Sequence, residues 1–119
     1  MTTPTGPPYT PVVRAGDWLI VSGQVGAVDG ALVQGGFTDE LRQVLANLEA
    51  RLADHGATLA DVVKTTVFLR HLSTDYAQLN ELYAAAFPEP RPARSAIGVA
   101  ELPFGALVEI EAWALAPKT

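Results

Sequence analysis

Apolar positions along this chain come first in short extended runs. Val12-Val13 and the run 18–21 flank "RAGD", where Gly16-Asp17 supplies turn chemistry, so residues 12–21 are expected to form a β-hairpin. "AVDGALVQGG" repeats the pattern around Asp29-Gly30 and ends in a break at Gly35-Gly36. The period then changes. Leu41, Val44, Leu45, Leu48 and Leu52 fall at i, i+3, i+4, i+7 and i+11, one apolar stripe of a helix. Thr38 is its expected N-cap, Asp39 and Glu40 suit the positive end of the helix dipole, and Gly56 stands where a left-handed C-terminal cap belongs, with His55 on the surface beside it.

"TLADVVKTTVFLRHL" reads as a short capped turn running into a strand. Val63, Thr65, Val67 and Leu69 share one side, with Lys64, Thr66 and Phe68 on the other. Ser73 is expected to cap a second helix carrying Tyr76, Leu79, Tyr83 and Phe87, stopped by Pro88. Asn80 lies beside that stripe. The proline-rich "FPEPRPA" leads into two final strands bridged by "ELPFGA", and the first eight residues read as an extended arm. The order is β-β-(β)-α-β-α-β-β, without repeat or linker, and 119 residues make a single domain, 1–119. Two helices should cover one face of a mixed sheet. The opposite face then needs a cover the chain does not supply, which points to self-association.

Composition narrows the chemistry. Hydrophobic residues make up 49% and charged residues 18%, a globular balance, and the net charge of -5 disfavours nucleic-acid backbone and anionic lipid. Without cysteine there is no thiolate nucleophile or thiolate metal site, and His55 and His71 are too few for an all-histidine metal cage. No apolar run is long enough to span a membrane and the N-terminal segment lacks a secretory pattern, so a cytoplasmic location is expected. The glycines of "GDWLIVSGQVG" do not form a strand-to-helix phosphate motif, and Ser22 there reads as structural.

The tail "RPARSAIGVAELPFGALVEIEAWA" carries the candidate chemistry. Alternation puts Arg94, Ala96 and Gly98 on one side of its first strand and Ser95, Ile97 and Val99 on the other. In the second strand Val108, Ile110, Ala112 and Ala114 form an apolar side suited to packing on helices. Leu107, Glu109, Glu111, Trp113 and Leu115 form the mixed side. Arg94 followed by small residues leaves room for a bound molecule, and Arg94 with Glu109 is a candidate small-molecule site. Taken alone, Arg94 would more often be a surface or interface ion-pair residue, and Glu109 equally could belong to a structural Arg–Glu pair.

"PARSAIGVAELP" followed by "VEIEAWA", with "AGDWLIVSGQ", "DVVKTTVFL" and "LNELYAAAFPEPRPAR", resembles the reactive intermediate deaminase (RidA/YjgF) family over nearly the whole chain. The resemblance implies an α+β fold of the chorismate-mutase-like (bacillus) type. It implies a homotrimer whose sheets line a central barrel, with ligand clefts between subunits. The implied activity is hydrolysis of enamine or 2-imino acid intermediates to 2-oxo acids and ammonia, with no cofactor or metal and no nucleic-acid or membrane partner. By position, Arg94 matches the arginine that binds the substrate carboxylate, Glu109 the acid that positions water, and Tyr9 a tyrosine closing over the substrate. Gly23, Asn80, Ser95 and Ala96 match substrate-binding positions. Two departures stand out: Tyr9-Thr10-Pro11 replaces a frequent Tyr-x-Gln, and Ala96 replaces Cys, Ser or Thr. The first motivates an alternative, a ligand-binding protein without turnover; ribonuclease activity is disfavoured by the acidic charge.

Overall fold

The computed structural model describes residues 6–118; the first five residues of the expected N-terminal arm lie outside them. Strand β1 (Val12–Ala15) turns at Gly16, φ +60°, into β2 (Trp18–Val25). Strands β3 (Ala27–Val28) and β4 (Ala31–Leu32) make a separate small hairpin around Asp29-Gly30, both residues at positive φ. Helix α1 (Phe37–Ala53), β5 (Val62–Leu69), α2 (Leu72–Ala86), β6 (Ala93–Gly98) and β7 (Val108–Leu115) complete the order.

The main sheet runs β1-β2-β7-β5-β6. β5 and β6 are parallel and every other pairing is antiparallel. A parallel pair needs a crossover, and α2 supplies it. The α+β architecture with a mixed sheet is therefore the expected one.

Both helices lie on one face. The α1 stripe Leu41, Val44, Leu45, Leu48 and Leu52 is buried against Leu19, Val21, Val62, Val67, Ile110, Ala112 and Ala114, with Leu79, Tyr83 and Phe87 from the α2 side. A residue count of two per strand repeat sends the alternate side chains the other way. On that second face Trp18, Ile97, Trp113 and Leu115 are exposed, 37–46% of their surface remaining in contact with solvent. Trp18, Trp113 and Leu115 lie together there, the two indole rings 5.9 Å apart, and Ile97 lies further along the same face. Among the described residues no helix is long and apolar enough to cross a membrane.

Local details depart from the periodicity. Helix α1 starts at Phe37, with Gly36 (φ 87°) rather than Thr38 as N-cap. Phe37 is buried, so the chain enters the core at the glycine pair itself, and Thr38 instead accepts a hydrogen bond from Gln78 Nε2. His71, not Ser73, precedes α2. In β5 a register shift between Val62 and Lys64 puts Val62 into the core in place of Val63. In α2 Tyr76 stays 43% exposed while Asp75 is buried. The turn before β5 matches expectation, with Thr58 and Asp61 forming a reciprocal capping box.

Candidate active site

Arg94 sits near the start of β6, level with Thr65 of β5, on the helix-covered face. Tyr76, Asn80 and Tyr83 stand at i, i+4 and i+7 on α2, a single helical stripe, and all three meet the guanidinium. Arg94 Nη2 donates to Asn80 Oδ1 at 2.7 Å and to Tyr76 Oη at 3.4 Å. The guanidinium carbon lies 4.8 Å from the Tyr83 ring centroid and 5.7 Å from that of Tyr76. These are cation–π distances. Tyr83 is fixed in turn by a buried 2.6 Å hydrogen bond between its hydroxyl and that of Thr65. Burial raises the Tyr83 pKa, against smaller lowering by Thr65 and by the Arg94 charge, so the phenol is neutral at Arg94's side.

The partners of Arg94 are thus two rings, an amide and a phenol. The ion pair found among the described residues is Arg91–Glu89, out on the surface. Arg94 is half-buried, carries its charge without a carboxylate partner among the described residues, and opens with Leu72, Ser73, Tyr76 and Ala96 onto a cleft of about 520 Å³. Both its hydrogen bonds leave from Nη2, and neither Nε nor Nη1 donates to an acceptor among the described residues. A guanidinium with N–H groups left over is a strong partner for a carboxylate through charge-assisted hydrogen bonds.

Glu109 lies elsewhere. It pairs with Phe68 of β5 and Val25 of β2, on the open face of the sheet. Arg94 and Glu109 are separated by two strand spacings across the sheet and three residues along it, about 14 Å between backbones, and project from opposite faces. One copy of the chain does not bring the two together. Burial raises the Glu109 pKa and the charge of Glu111 raises it further. A β-carbon at Gly23 would stand 2.8 Å from Glu109 Cδ and Oε1, so the bare backbone at 23 is what leaves space for this carboxylate.

Gly23 also lines a second cleft, of about 560 Å³, together with Tyr9, Gln24, Val25, Asn47 and Phe104. Tyr9 is 59% exposed on its rim. The segment behind it is pinned: Ser22 donates its hydroxyl to Thr10 O at 2.7 Å and its N–H to Pro11 O at 2.9 Å. Asn47 donates to Val25 O and Ala27 O, both at 3.0 Å, tying α1 to the end of β2. Ser22 is structural, as its sequence context suggests.

The expected site residues therefore fall into two groups. Arg94 and Ala96 line the first cleft, with Asn80 holding Arg94 from behind; Tyr9 and Gly23 line the second, with Glu109 against Gly23. Ser95 points to the open face, where its hydroxyl accepts a 2.8 Å hydrogen bond from Lys64 Nζ. Periodicity alone assigns Tyr76 and Tyr83 to the core stripe; two phenols and an amide spaced i, i+4, i+7 are the signal that they meet a charged group. Phe104 had no signal beyond its position in a turn.

The mixed sheet, its two helices and the cleft beneath Arg94 define an α+β protein with an open cationic site, and comparison with known proteins gives its family. Residues 2–116 match the family described as Endoribonuclease L-PSP. A RutC family protein of Pyrococcus horikoshii is 44% identical over 88% of this chain and 84% of its own. The 2-iminobutanoate/2-iminopropanoate deaminase of mouse is 43% identical over 91% of this chain and 81% of its own. Among solved structures, RidA from an Antarctic Psychrobacter superposes with TM-score 0.87 at 39% identity, covering 94% of this chain and 91% of that one. The chain belongs to the RidA/YjgF family.

Proposed function

We propose that this protein is an imine deaminase, converting 2-imino acids and their enamine tautomers to 2-oxo acids and ammonia. The observation that carries the reading is the guanidinium of Arg94, half-buried, braced by Asn80 and Tyr83, and facing a cleft without a carboxylate of its own. The names of relatives at 38–43% identity support the same chemistry.

Arg94 binds the substrate carboxylate through N–H groups that Asn80 and Tyr76 leave free. That leaves the C=N carbon beside the small Ala96. A water molecule is deprotonated by Glu109 as its oxygen bonds to that carbon, and the C=N π pair moves onto nitrogen. The proton taken up by Glu109 then passes to the amine, the C–N bond breaks, the hydroxyl proton is lost and the C=O bond forms, releasing ammonia. One water is consumed, with no net oxidation. A carboxyl raised towards neutrality suits both steps, since the same group must accept and return a proton.

Because Arg94 and Glu109 of one copy project from opposite faces, the site is built between copies, Arg94 from one and Glu109, Gly23 and Tyr9 from its neighbour. The exposed Trp18, Ile97, Trp113 and Leu115 give the open face a reason to be covered. A homotrimer with these faces turned to a central barrel satisfies both demands. The location proposed is the cytoplasm.

The test couples an amino-acid dehydratase to 2-oxo acid formation and compares release with and without the protein. Arg94→Ala should lower the enzymatic rate by about 1,000-fold while the trimer persists in sedimentation. A protein that does not accelerate release above spontaneous hydrolysis, for several precursors, rejects the reading. The replacement of Tyr-x-Gln by Tyr9-Thr10-Pro11 favours a second one, ligand binding without turnover, and calorimetry with 2-oxo acids separates the two.

A further inference from the structure

Gly105 N–H donates to Leu102 O at 3.1 Å, closing a four-residue turn with Pro103 second and Phe104 third. Phe104 there has φ 64° and ψ 7°. This is the type II geometry, whose third position calls for positive φ and is ordinarily glycine. A bulky side chain in the left-handed region is a strained outlier. Burial does not offset the strain, because Phe104 is 60% exposed, the largest exposure among the large apolar residues described. Strain kept without a folding return points to function. The exposed ring lines the cleft shared by Tyr9, Gly23, Pro11, Val25 and Ala27, and Gly23 is also the residue that Glu109 lies against. The ring, Pro11, Val25 and Ala27 give the cleft an apolar part beside polar walls at Asn47, Arg51 and Asp54, around a volume of about 560 Å³, more room than a methyl or ethyl side chain fills.

We infer that Phe104 is a specificity-determining residue, an apolar wall that favours 2-imino acids with branched or aromatic side chains over the smallest ones. This rests on the deaminase reading above. The turn fixes the backbone that carries the ring at the edge of the cleft, so the ring is already outside the core when a substrate arrives.

The experiment compares wild type, Phe104→Gly and Phe104→Leu. Imines are generated in place by an amino-acid oxidase from alanine, leucine and phenylalanine, and affinities for the corresponding 2-oxo acids are measured by calorimetry. Wild type should prefer the leucine- and phenylalanine-derived imines, and Phe104→Gly should lose about tenfold in kcat/KM for them but at most about twofold for the alanine-derived imine. Phe104→Leu should retain most of the preference. Phe104→Gly should also melt higher, by about 4 °C, as the turn is relieved. An equal loss for all three imines, a lowered melting temperature, or dissociation of the assembly overturns the inference. If turnover is real but the ratio is untouched by Phe104→Gly, the wall fails and the deaminase stands. If no imine is hydrolysed yet the 2-oxo acid affinities differ and Phe104→Gly levels them, the deaminase fails and the wall stands. Absence of both binding and turnover sinks both.

Discussion

Arg94 and Glu109 carry opposite charges and live in opposite kinds of surroundings. Arg94 is held by neutral groups: two phenol rings, an amide oxygen and a phenol oxygen. Its charge is oriented and left uncancelled. Glu109 is squeezed by burial and by the like charge of Glu111, both of which favour its protonated form. An ion pair between the two would quench each of them, as structural pairs do. The fold prevents it by placing one on the helix-covered face of β6 and the other on the open face of β7, with β5 between. The cation keeps its charge without an anionic partner among the described residues, and burial with Glu111 holds the acid's pKa above the ordinary carboxylate value.

The largest effect that could break this comparison comes from mixing. Arg94→Ala and Glu109→Gln proteins should each lose about 1,000-fold in rate. Dissociated, mixed in equal amounts and reassembled, they should recover about a quarter of wild-type activity, because a cleft between copies is intact whenever each of its two contributors is the undamaged one for its residue. No recovery from a mixed assembly, confirmed by mass, would mean that both residues serve one cleft from one copy.

How much of this was legible beforehand differs by element. The α1 stripe Leu41 to Leu52 and the apolar side of β7 from Val108 to Ala114 were plain, because burial follows the local period that a backbone imposes. The alternation of Arg94 and Ala96 against Ser95 and Ile97 was plain too. Whether Arg94 and Glu109 share a face was not, since that depends on the register of β6 and β7 on β5, strands some thirty residues or more apart in the chain. A bulge escapes periodicity for the same reason: Val62 rather than Val63 enters the core because one extra residue resets the alternation. The helix start at Gly36 was hidden by Thr38, a better cap by composition, since the burial of Phe37 decides where the helix begins.

Gly23→Ala sharpens the comparison on one side alone. Its new methyl would meet Glu109 Cδ and Oε1 at 2.8 Å, the far end of a flexible side chain, so the carboxylate moves rather than the sheet. Melting should shift little. Turnover should fall about 10- to 100-fold through misplacement of the water-activating group. Calorimetric affinity for a 2-oxo acid, set mainly by Arg94, should change far less. A matched loss of affinity would show that the backbone at 23 grips the ligand directly.

The smallest expected effect is on pH, and it isolates the electrostatic half of the contrast. With Glu109 as base, turnover rises as pH climbs through its raised pKa, where the carboxylate forms. Folding stability runs the other way: a carboxyl whose folded pKa exceeds its unfolded one binds more protons when folded, so stability declines as pH rises between those two values. Glu111→Gln removes the second of the two causes and leaves burial in place. The acid limb of the kcat profile should therefore move to lower pH, and part of the stability lost on ionising Glu109 should return at neutral pH. Arg94's hold on the substrate, on the other face, should stay as it was, read as an unchanged 2-oxo acid affinity. A limb that does not move would mean that solvent between the two acids screens their repulsion completely. Burial alone would then tune Glu109, and Glu111 would belong only to the covering of the open face.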